Sequence, residues 1–348
     1  PAGAAARRVA GVVTKVAVIG AGSWGTAVAS LVATNAPATL WARRPELAQE
    51  IALDHVNGSY LPGIQLPDRL GATASLEEAV AGADVVVMGV PSHGFRAVIA
   101  DLAPYLGATT PVVSLAKGIE QDSLKRMTEV VIEVAPGSSR PVGVLTGPNL
   151  AREILAGHPA ASVVALNDEG IATELQQLFS SGTFRVYTNP DVIGCEIAGA
   201  LKNVMAIAAG MTDGMGFGDN TRAALVTRGL AELTRLGIAM GGDPLTFSGL
   251  AGMGDLVATC ISRQSRNRYV GEALGQGRQI GEIVAEMRMV AEGVKTSGPV
   301  VELATRHDVE MPIAEQVAAV IRDGKTVPEA ITALMQREAK TELYGIRG

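Results

Sequence analysis

The sequence predicts an α/β protein, with an N-terminal Rossmann-like doubly wound sheet followed by an all-α C-terminal domain. Short apolar segments alternate with helical intervals up to about residue 190. These segments are continuously apolar, which is typical of parallel strands buried on both faces. Beyond that point, long helical patterns replace the strands. The predicted divisions are an N-terminal extension at 1–14, a dinucleotide-binding domain at 15–190 and a helical substrate-binding domain at 191–348.

The individual elements follow from these patterns. The predicted strands cover residues 16–19, 38–41, 85–90, 112–115, 142–145, 162–166 and 184–187. The main predicted helices of the C-terminal domain cover residues 192–211, 221–240, 281–289, 300–306 and 313–322.

The first strand runs directly into G-x-G-x-x-G, formed by Gly20, Gly22 and Gly25, and a helix of small residues follows. Gly20 permits a tight turn, Gly22 lets a pyrophosphate approach the backbone, and Gly25 permits close packing of helix and strand. The helix N-terminus then faces the phosphates. An ordinary tight turn is the alternative, but the position between strand and helix favours dinucleotide binding.

Composition excludes several classes of protein. The formal net charge is −6 and no long basic run occurs, so nucleic-acid binding is not expected. The cysteines, Cys195 and Cys260, lie far apart, and the four histidines show no metal-ligand spacing, so neither a disulfide framework nor a metal site is expected. Charged or glycine residues interrupt every long apolar run. We therefore expect a cytoplasmic protein with no membrane span.

The second strand ends without the acidic residue that grips a ribose 2′-hydroxyl, and Arg43 and Arg44 follow instead. Two guanidinium groups can pair with a 2′-phosphate. NADPH is therefore the preferred cofactor and NADH a possible one, although a solvated strand end is the alternative.

Later strand ends supply further candidates. Lys117 follows a buried strand, where a lysine is costly unless it meets an anion or a polar substrate. His93 follows the strand at 85–90, but an isolated histidine in a loop is more often solvated than catalytic. The strand at 142–145 leads to another loop at the same sheet edge.

Lys202 and Asn203 are the only polar pair inside a long helix of small and apolar residues. Burial of a lysine lowers its pKa towards the range that suits acid–base catalysis. Lys202 is therefore the candidate catalytic residue, unless its side chain extends to the surface.

Two further segments carry polar groups. Asp255 follows a glycine-rich turn and could hold the lysine and a substrate hydroxyl, or could simply cap a helix. Ser265, Arg266 and Asn267 have the donors that a phosphate requires, although a basic surface loop is the alternative.

Together these segments resemble the bacterial NAD(P)H-dependent glycerol-3-phosphate dehydrogenase family. The resemblance extends from Lys15 to the 330s. The matching segments are residues 20–27, 90–93, 116–118, 199–204, 213–218, 227–232, 252–257, 264–268, 290–293 and 310–313.

The resemblance implies reversible reduction of dihydroxyacetone phosphate to sn-glycerol 3-phosphate with NAD(P)H, a reaction that feeds glycerophospholipid synthesis. It implies Lys202 as proton donor and acceptor. The substrate-binding residues that it implies are Lys117, Gly147, Lys202, Asp255, Ser265, Arg266 and Asn267. The cofactor-binding residues that it adds to Gly20, Gly22 and Gly25 are Ser23, Trp24, Arg43, Arg44, Lys117, Ala151, Arg266, Val290 and Glu292. A homodimer is possible.

One position departs from the family pattern: Asn149-Leu150 replaces the usual Ser or Thr followed by Phe. Asn149 can still hydrogen-bond the substrate and is kept as a binding residue. Two alternative functions remain, namely a related two-domain dehydrogenase of another small hydroxy acid and a non-catalytic NADP(H)-binding sensor.

Overall fold

The computed structural model describes residues 15–137, 139–287 and 291–342. The chain divides into two compact units. The first comprises residues up to Ala116 together with Met127–Val192, and the second comprises Lys117–Arg126 and the chain from Ile193 onward. The predicted extension at 1–14 lies outside the described residues.

The first unit contains an eight-stranded sheet in the order β3-β2-β1-β4-β5-β6-β7-β8. Its strands are β1 (Val16–Ile19), β2 (Ala38–Trp41), β3 (Leu70–Thr73), β4 (Val85–Met88), β5 (Val112–Ser114), β6 (Val142–Thr146), β7 (Ala160–Ala165) and β8 (Phe184–Asn189). Its helices are α1 (Ser23–Asn35), α2 (Pro45–Asp54), α3 (Leu76–Val80), α4 (Ser92–Leu102), α5 (Met127–Val134), α6 (Ala151–Leu155) and α7 (Glu169–Phe179).

Apolar side chains on both faces of this sheet are buried beneath helices. In β1, Val16 and Val18 belong to the core cluster that includes α1 and α7, whereas Ala17 and Ile19 belong to the cluster that includes α4 and α5. This three-layer arrangement confirms the predicted doubly wound fold, and it explains why the strands are apolar throughout.

Two details of the sheet differ from the prediction. Strand β3 was not predicted, because Leu70-Gly-Ala-Thr73 contains a single large apolar residue and lies at the sheet edge, where less burial is needed. Strands β6 and β7 pair antiparallel rather than parallel. The connection between them contains only the five-residue helix α6, which is too short for the usual crossover.

The second unit is helical in the part of it that the structure describes. Its helices are α8 (Val192–Gly214), α9 (Asp219–Ala239), α10 (Pro244–Ser248), α11 (Asp255–Ile261), α12 (Arg266–Gly275), α13 (Ile280–Glu286), α14 (Glu292–Arg306), α15 (Pro312–Arg322) and α16 (Val327–Met335). A π-helical turn, Leu250–Gly254, precedes α11. The long helices α8, α9 and α15 lie within a few residues of their predicted limits.

Helix α8 is the core of this unit. Its length and hydropathy would allow it to cross a membrane, but 94% of its apolar window is buried inside the protein. Burial of this kind is typical of a core helix, and it accounts for the apolar composition without a membrane.

Helix α14 begins at Glu292, eight residues before the predicted start at 300, because Pro299 lies inside the helix rather than at its boundary. A proline removes the hydrogen bond to the carbonyl four residues earlier, here that of Lys295. The side chain of Gln121 donates to this carbonyl oxygen at 3.4 Å. The freed carbonyl is therefore satisfied, and the helix continues through the proline.

Candidate active site

The glycine-rich loop after β1 is built by close backbone contacts. A Cβ atom on Gly25 would lie 2.1 Å from the carbonyl oxygen of Gly20, and one on Gly20 would lie 2.7 Å from that of Gly89. Gly20 also has φ of +118°, which favours glycine. A Cβ atom on Gly22, in contrast, would meet nothing within 4 Å. The loop is tightly packed on the protein side and open beside Gly22, which fits the approach of a pyrophosphate.

The first turn of α1 suits an anion. Gly22 is the N-cap, no side chain caps the helix, and no acidic residue lies in its first turn. The N–H groups of this turn and the positive end of the helix dipole thus face the loop.

Asn57 supports the glycine-rich loop and was not identified from the sequence. It is fully buried, and its amide nitrogen donates to the Ala21 carbonyl at 3.0 Å and to the Thr26 hydroxyl at 2.9 Å. Nearby, the Ser23 hydroxyl donates to the carbonyl of Tyr60 at 3.2 Å. The sequence around it, His55-Val-Asn-Gly58, shows only the pattern of a turn. Asn57 can therefore be identified only from its hydrogen bonds in the folded structure.

Arg43 and Arg44 follow β2, and both are exposed. Arg44 donates to the hydroxyl of Ser59 at 2.8 Å, whereas Arg43 has no hydrogen bond or ion pair with any described residue. Trp24 lies at the start of α1, with its ring edge-on to Phe184 and its indole N–H buried without a partner in the described chain. The guanidinium of Arg43 is therefore available to a ligand phosphate.

Gly147, Asn149 and Ala151 follow β6, whose carboxyl end lies at the same sheet edge as those of β1, β2 and β4. Gly147 is buried with φ of +130°, and a Cβ atom there would lie 3.0 Å from Cα of Ser162. Ligands of doubly wound sheets bind at this edge. His93 is exposed at the start of α4.

A single carboxylate joins two lysines in the second unit. Asp255, at the start of α11, accepts a hydrogen bond from Lys202 on one oxygen and from Lys117 on the other, the latter at 2.7 Å. Lys202 also donates to the hydroxyl of Thr259 at 2.8 Å, one helical turn after Asp255. The side chains of Lys202 and Asp255 are buried, with exposed fractions of 6% and 2%. Thr259 is not predicted from the sequence, although its spacing of four residues from Asp255 is a usable signal.

Lys117 belongs to the second unit although it follows β5 of the first. Burial lowers the pKa of Lys117 to about 7, against the opposing attraction of Asp255, and the charge of Lys202 lowers it further. Below that pH two cations share one anion, so the cluster carries a net positive charge in a protein whose overall charge is −6. The positive charge that an anionic substrate requires is therefore local.

Two buried amides connect Lys117 to the beginning of α14. Asn203 donates to the Lys117 carbonyl at 2.9 Å, Asn267 donates to the amide oxygen of Asn203 at 2.9 Å, and the Gly293 N–H donates to Asn267 at 2.9 Å. Because a carbonyl can only accept and a backbone N–H can only donate, both amides have a determined orientation. Each amide has one further N–H that donates to no residue in the described part of the chain.

The remaining predicted residues differ in environment. Ser265 is buried and caps α12 by accepting from the N–H of Arg268 at 3.2 Å. Arg266 is exposed and forms neither a hydrogen bond nor an ion pair within the described ranges, although Glu292 attracts it electrostatically. Val290 lies outside the described residues. No group of three or more potential metal ligands occurs in the part of the chain that the structure describes.

Residues 15–172 and 191–332 match, respectively, the N-terminal and C-terminal sequence models of NAD-dependent glycerol-3-phosphate dehydrogenase. The chain belongs to this family. A glycerol-3-phosphate dehydrogenase [NAD(P)+] from Sphingopyxis alaskensis is 56% identical over 330 residues, covering 95% of this chain and 98% of the relative. A second, from Mycobacterium avium, is 52% identical over 332 residues, covering 95% of this chain and 97% of that relative.

Solved structures agree with the sequence relatives. The crystal structure of glycerol-3-phosphate dehydrogenase from Coxiella burnetii superimposes with a TM-score of 0.89 at 37% identity, covering 93% of this chain and 99% of that chain. These findings confirm the predicted family and the predicted fold class.

Proposed function

We propose that the protein catalyses the reversible reduction of dihydroxyacetone phosphate to sn-glycerol 3-phosphate with NAD(P)H. The observation that carries the proposal is the pair of lysines on Asp255, which Asn203 connects by hydrogen bonds from Lys117 to Asn267 in the first turn of α12. This cluster combines a proton source with the donors that a phosphate requires. The similarity to named glycerol-3-phosphate dehydrogenases supports the same reaction.

Lys202 is the proton donor in this proposal. An ammonium group has three N–H donors, and here Asp255 and Thr259 accept two of them. The third is left for the oxygen of the substrate ketone. As the ketone carbon is reduced, Lys202 transfers its proton to the forming alkoxide, and in the reverse direction the neutral amine removes the hydroxyl proton.

Lys117 assists this transfer electrostatically. Its ammonium donates a hydrogen bond to Asp255, and its positive charge favours an oxyanion nearby. Asp255 keeps both lysines in place, and burial strengthens each of these interactions relative to water.

The cofactor supplies the hydride when it is bound. Its pyrophosphate would be held by the backbone of Gly20, Gly22 and Ser23 and by the first turn of α1. Gly25 would keep that helix against the strand, and Trp24, Ala151, Val290 and Glu292 would complete the cofactor site. The open space beside Gly22 supports this assignment.

The phosphate of the substrate would be held by Arg266, Asn267 and the hydroxyl of Ser265, and Gly147 and Asn149 would contact the remainder of the molecule. The guanidinium of Arg266 supports the assignment, because it forms no hydrogen bond with a described residue. A phosphate can accept two hydrogen bonds from the planar guanidinium group. Fixing the phosphate orients the ketone for hydride and proton transfer.

NADPH is the preferred cofactor in this proposal, with NADH as a possible substitute. The support is the exposed pair Arg43 and Arg44, which follows β2 where an acidic residue would select NADH.

The proposal also includes a cytoplasmic location and a role in supplying phospholipid synthesis. Cys195 and Cys260 are both buried and neither forms a disulfide, which supports a reducing compartment. The possible homodimer stays a prediction, which light scattering of the purified protein would test.

The deciding experiment follows NADPH oxidation at its absorbance band with dihydroxyacetone phosphate, with free dihydroxyacetone as the matched control. We expect strong preference for the phosphorylated ketone. Comparable activity on an unphosphorylated hydroxy-acid precursor would favour the related dehydrogenase, and cofactor binding without oxidation of any ketone would favour the sensor.

The role of the phosphate donors is tested separately with Arg266→Ala at saturating NADPH. The loss of charge-assisted hydrogen bonds worth roughly 1.5–3 kcal/mol should weaken use of the phosphorylated ketone by one to two decades. Arg263→Ala, on the loop before α12, is the matched control. Equal losses on the phosphorylated and free ketones would assign Arg266 to the cofactor or to the fold.

A further inference from the structure

Helices α8 and α12 cross in direct backbone contact. On α8, a Cβ atom on Gly210 would lie 2.0 Å from the carbonyl oxygen of Arg268, and one on Gly214 would lie 2.2 Å from that of Glu272. On α12, a Cβ atom on Gly271 would lie 1.9 Å from the carbonyl oxygen of Ile207. A Cβ atom on Gly275 of α12 would lie 2.4 Å from the carbonyl oxygen of Met211. Each helix thus contributes two glycines four residues apart, and neither helix tolerates a larger residue at the crossing.

A buried carboxylate fastens this crossing at the end nearest the first turn of α12. Asp213, on α8, accepts a hydrogen bond on Oδ2 from Nε of Arg268 at 2.8 Å, and Nη2 of the same guanidinium lies 2.7 Å from that oxygen. Its other oxygen accepts from Arg222 at 2.7 Å. The side chain of Asp213 is 6% exposed and that of Arg268 is 13% exposed.

This ion pair is strong because a charged guanidinium donates to a buried carboxylate, with two of its nitrogens within 2.8 Å of one oxygen, which restrains the distance between the two side chains. Burial protects the pair from screening by salt. Arg268 immediately follows Arg266 and Asn267, so restraint of Arg268 restrains the turn that carries these two donors.

Lys202 and Asn203 lie on α8, and Asn203 accepts a hydrogen bond from Asn267 on α12. The spacing between the proton donor and the phosphate donors is therefore determined by the contact of these two helices.

We propose that Asp213 and Arg268 are positioning residues, which hold the phosphate-binding turn at a fixed spacing from Lys202 and thereby select a phosphorylated ketone. The inference rests on the proposed function. Neither residue contacts the substrate in this proposal, and both act through Arg266 and Asn267.

The test is Asp213→Asn, which preserves the shape but removes the charge that binds both arginines. With NADPH saturating, we expect kcat/KM for dihydroxyacetone phosphate to fall by about 10- to 100-fold, because a displacement of about an ångström can cost this much. The value for free dihydroxyacetone should change much less. Inhibition by inorganic phosphate should weaken in parallel, which provides a readout independent of turnover.

Asp219→Asn is the matched control, because Asp219 is 96% exposed and shares only Arg222 with Asp213. It should leave both substrates unaffected. Arg268→Lys retains the charge but loses the paired donors. Its loss of kcat/KM should therefore be smaller, and it should again be larger for the phosphorylated ketone than for the free one. If Asp213→Asn does not fold, Arg268→Lys is read by the same criterion.

An equal loss on both ketones, with unchanged inhibition by phosphate, would make the pair purely structural and would overturn the inference. Failure of the proposed function is distinguishable, since it would be seen in the wild-type protein as an absence of oxidation with dihydroxyacetone phosphate.

Discussion

The glycine-rich loop of the first unit and the lysine cluster of the second, the two sites proposed to recognise ligands, are built by opposite means. The loop uses backbone N–H groups and the absence of side chains, as the 2.1 Å approach at Gly25 and the open space at Gly22 demonstrate. The cluster uses charged side chains whose exposed fractions range from 2% to 11%. Its hydrogen bonds join residues that lie 53, 57 and 138 positions apart in the chain. One site is encoded locally, and the other is assembled by the fold.

This difference determines how each site tolerates substitution. An added methyl group on a glycine of the loop occupies space. On the side packed against the protein it strains the fold, and on the open side it obstructs the bound ligand. In the cluster, removal of Asp255 would leave two buried lysines without their carboxylate, so function and stability would change together.

The largest effect is expected for Lys202→Ala, which should lower kcat by about 10²- to 10⁴-fold, the usual contribution of a positioned proton donor. Binding of NADPH, measured by fluorescence titration, should change little, because the glycine-rich loop is untouched. Lys295→Ala, which removes an exposed ammonium group from the same unit, is the control. A folded Lys202→Ala variant with near-normal turnover would show that another group donates the proton.

A pair of glycine substitutions should separate the two sides of the loop. Gly25→Ala forces overlap with Gly20 and should lower stability by about 1–3 kcal/mol, with loss of NADPH binding. Gly22→Ala meets no protein atom and should weaken binding with little change in melting temperature. Gly182→Ala is the control, because a Cβ atom there also has no atom within 4 Å, and it should change neither the stability nor NADPH binding. Calorimetry and cofactor titration measure both properties, and normal NADPH binding by Gly22→Ala would contradict the assigned phosphate approach.

Replacement of both Arg43 and Arg44 by Ala should weaken NADPH binding by roughly 10-fold or more, since a charge-assisted hydrogen bond is worth about 1.5–3 kcal/mol. Binding of NADH, which lacks the 2′-phosphate, should change much less. Arg69→Ala serves as control, because Arg69 is exposed and precedes strand β3 instead of following a strand at the predicted site. Equal losses for the two cofactors would remove the basis for a preference for NADPH.

The smallest expected effect is a dependence on pH. Burial lowers the pKa of Lys117 to about 7, so its side chain is cationic below that pH and neutral above it. The positive charge that favours the forming oxyanion falls as the pH rises, and kcat/KM for dihydroxyacetone phosphate should decrease above about pH 7. In Lys117→Met this decrease should disappear, at a lower overall activity. A wild-type profile that stays flat from pH 6 to 9, measured at constant ionic strength, would argue against a titrating Lys117.

The sequence by itself was sufficient for the dinucleotide loop, most strands of the sheet and the apolar core helix. These features depend on neighbouring residues: Gly20, Gly22 and Gly25 act within one turn, and the helical period of residues 192–211 is visible without any partner. Lys202 could also be singled out, because a lone lysine in an apolar helix is costly unless it has a function.

Only the tertiary structure decided what these residues contact. It pairs β6 with β7 antiparallel, assigns Lys117 to the helical unit, and joins Lys117 and Lys202 through Asp255. It also identifies Asn57, Thr259 and the Asp213–Arg268 pair, each of which could be an ordinary polar residue in the sequence. The physical reason is that a charge or an amide acquires its role from partners within about 3 Å. Such partners can come from any part of the chain, whereas the conformational role of a glycine lies in its own backbone.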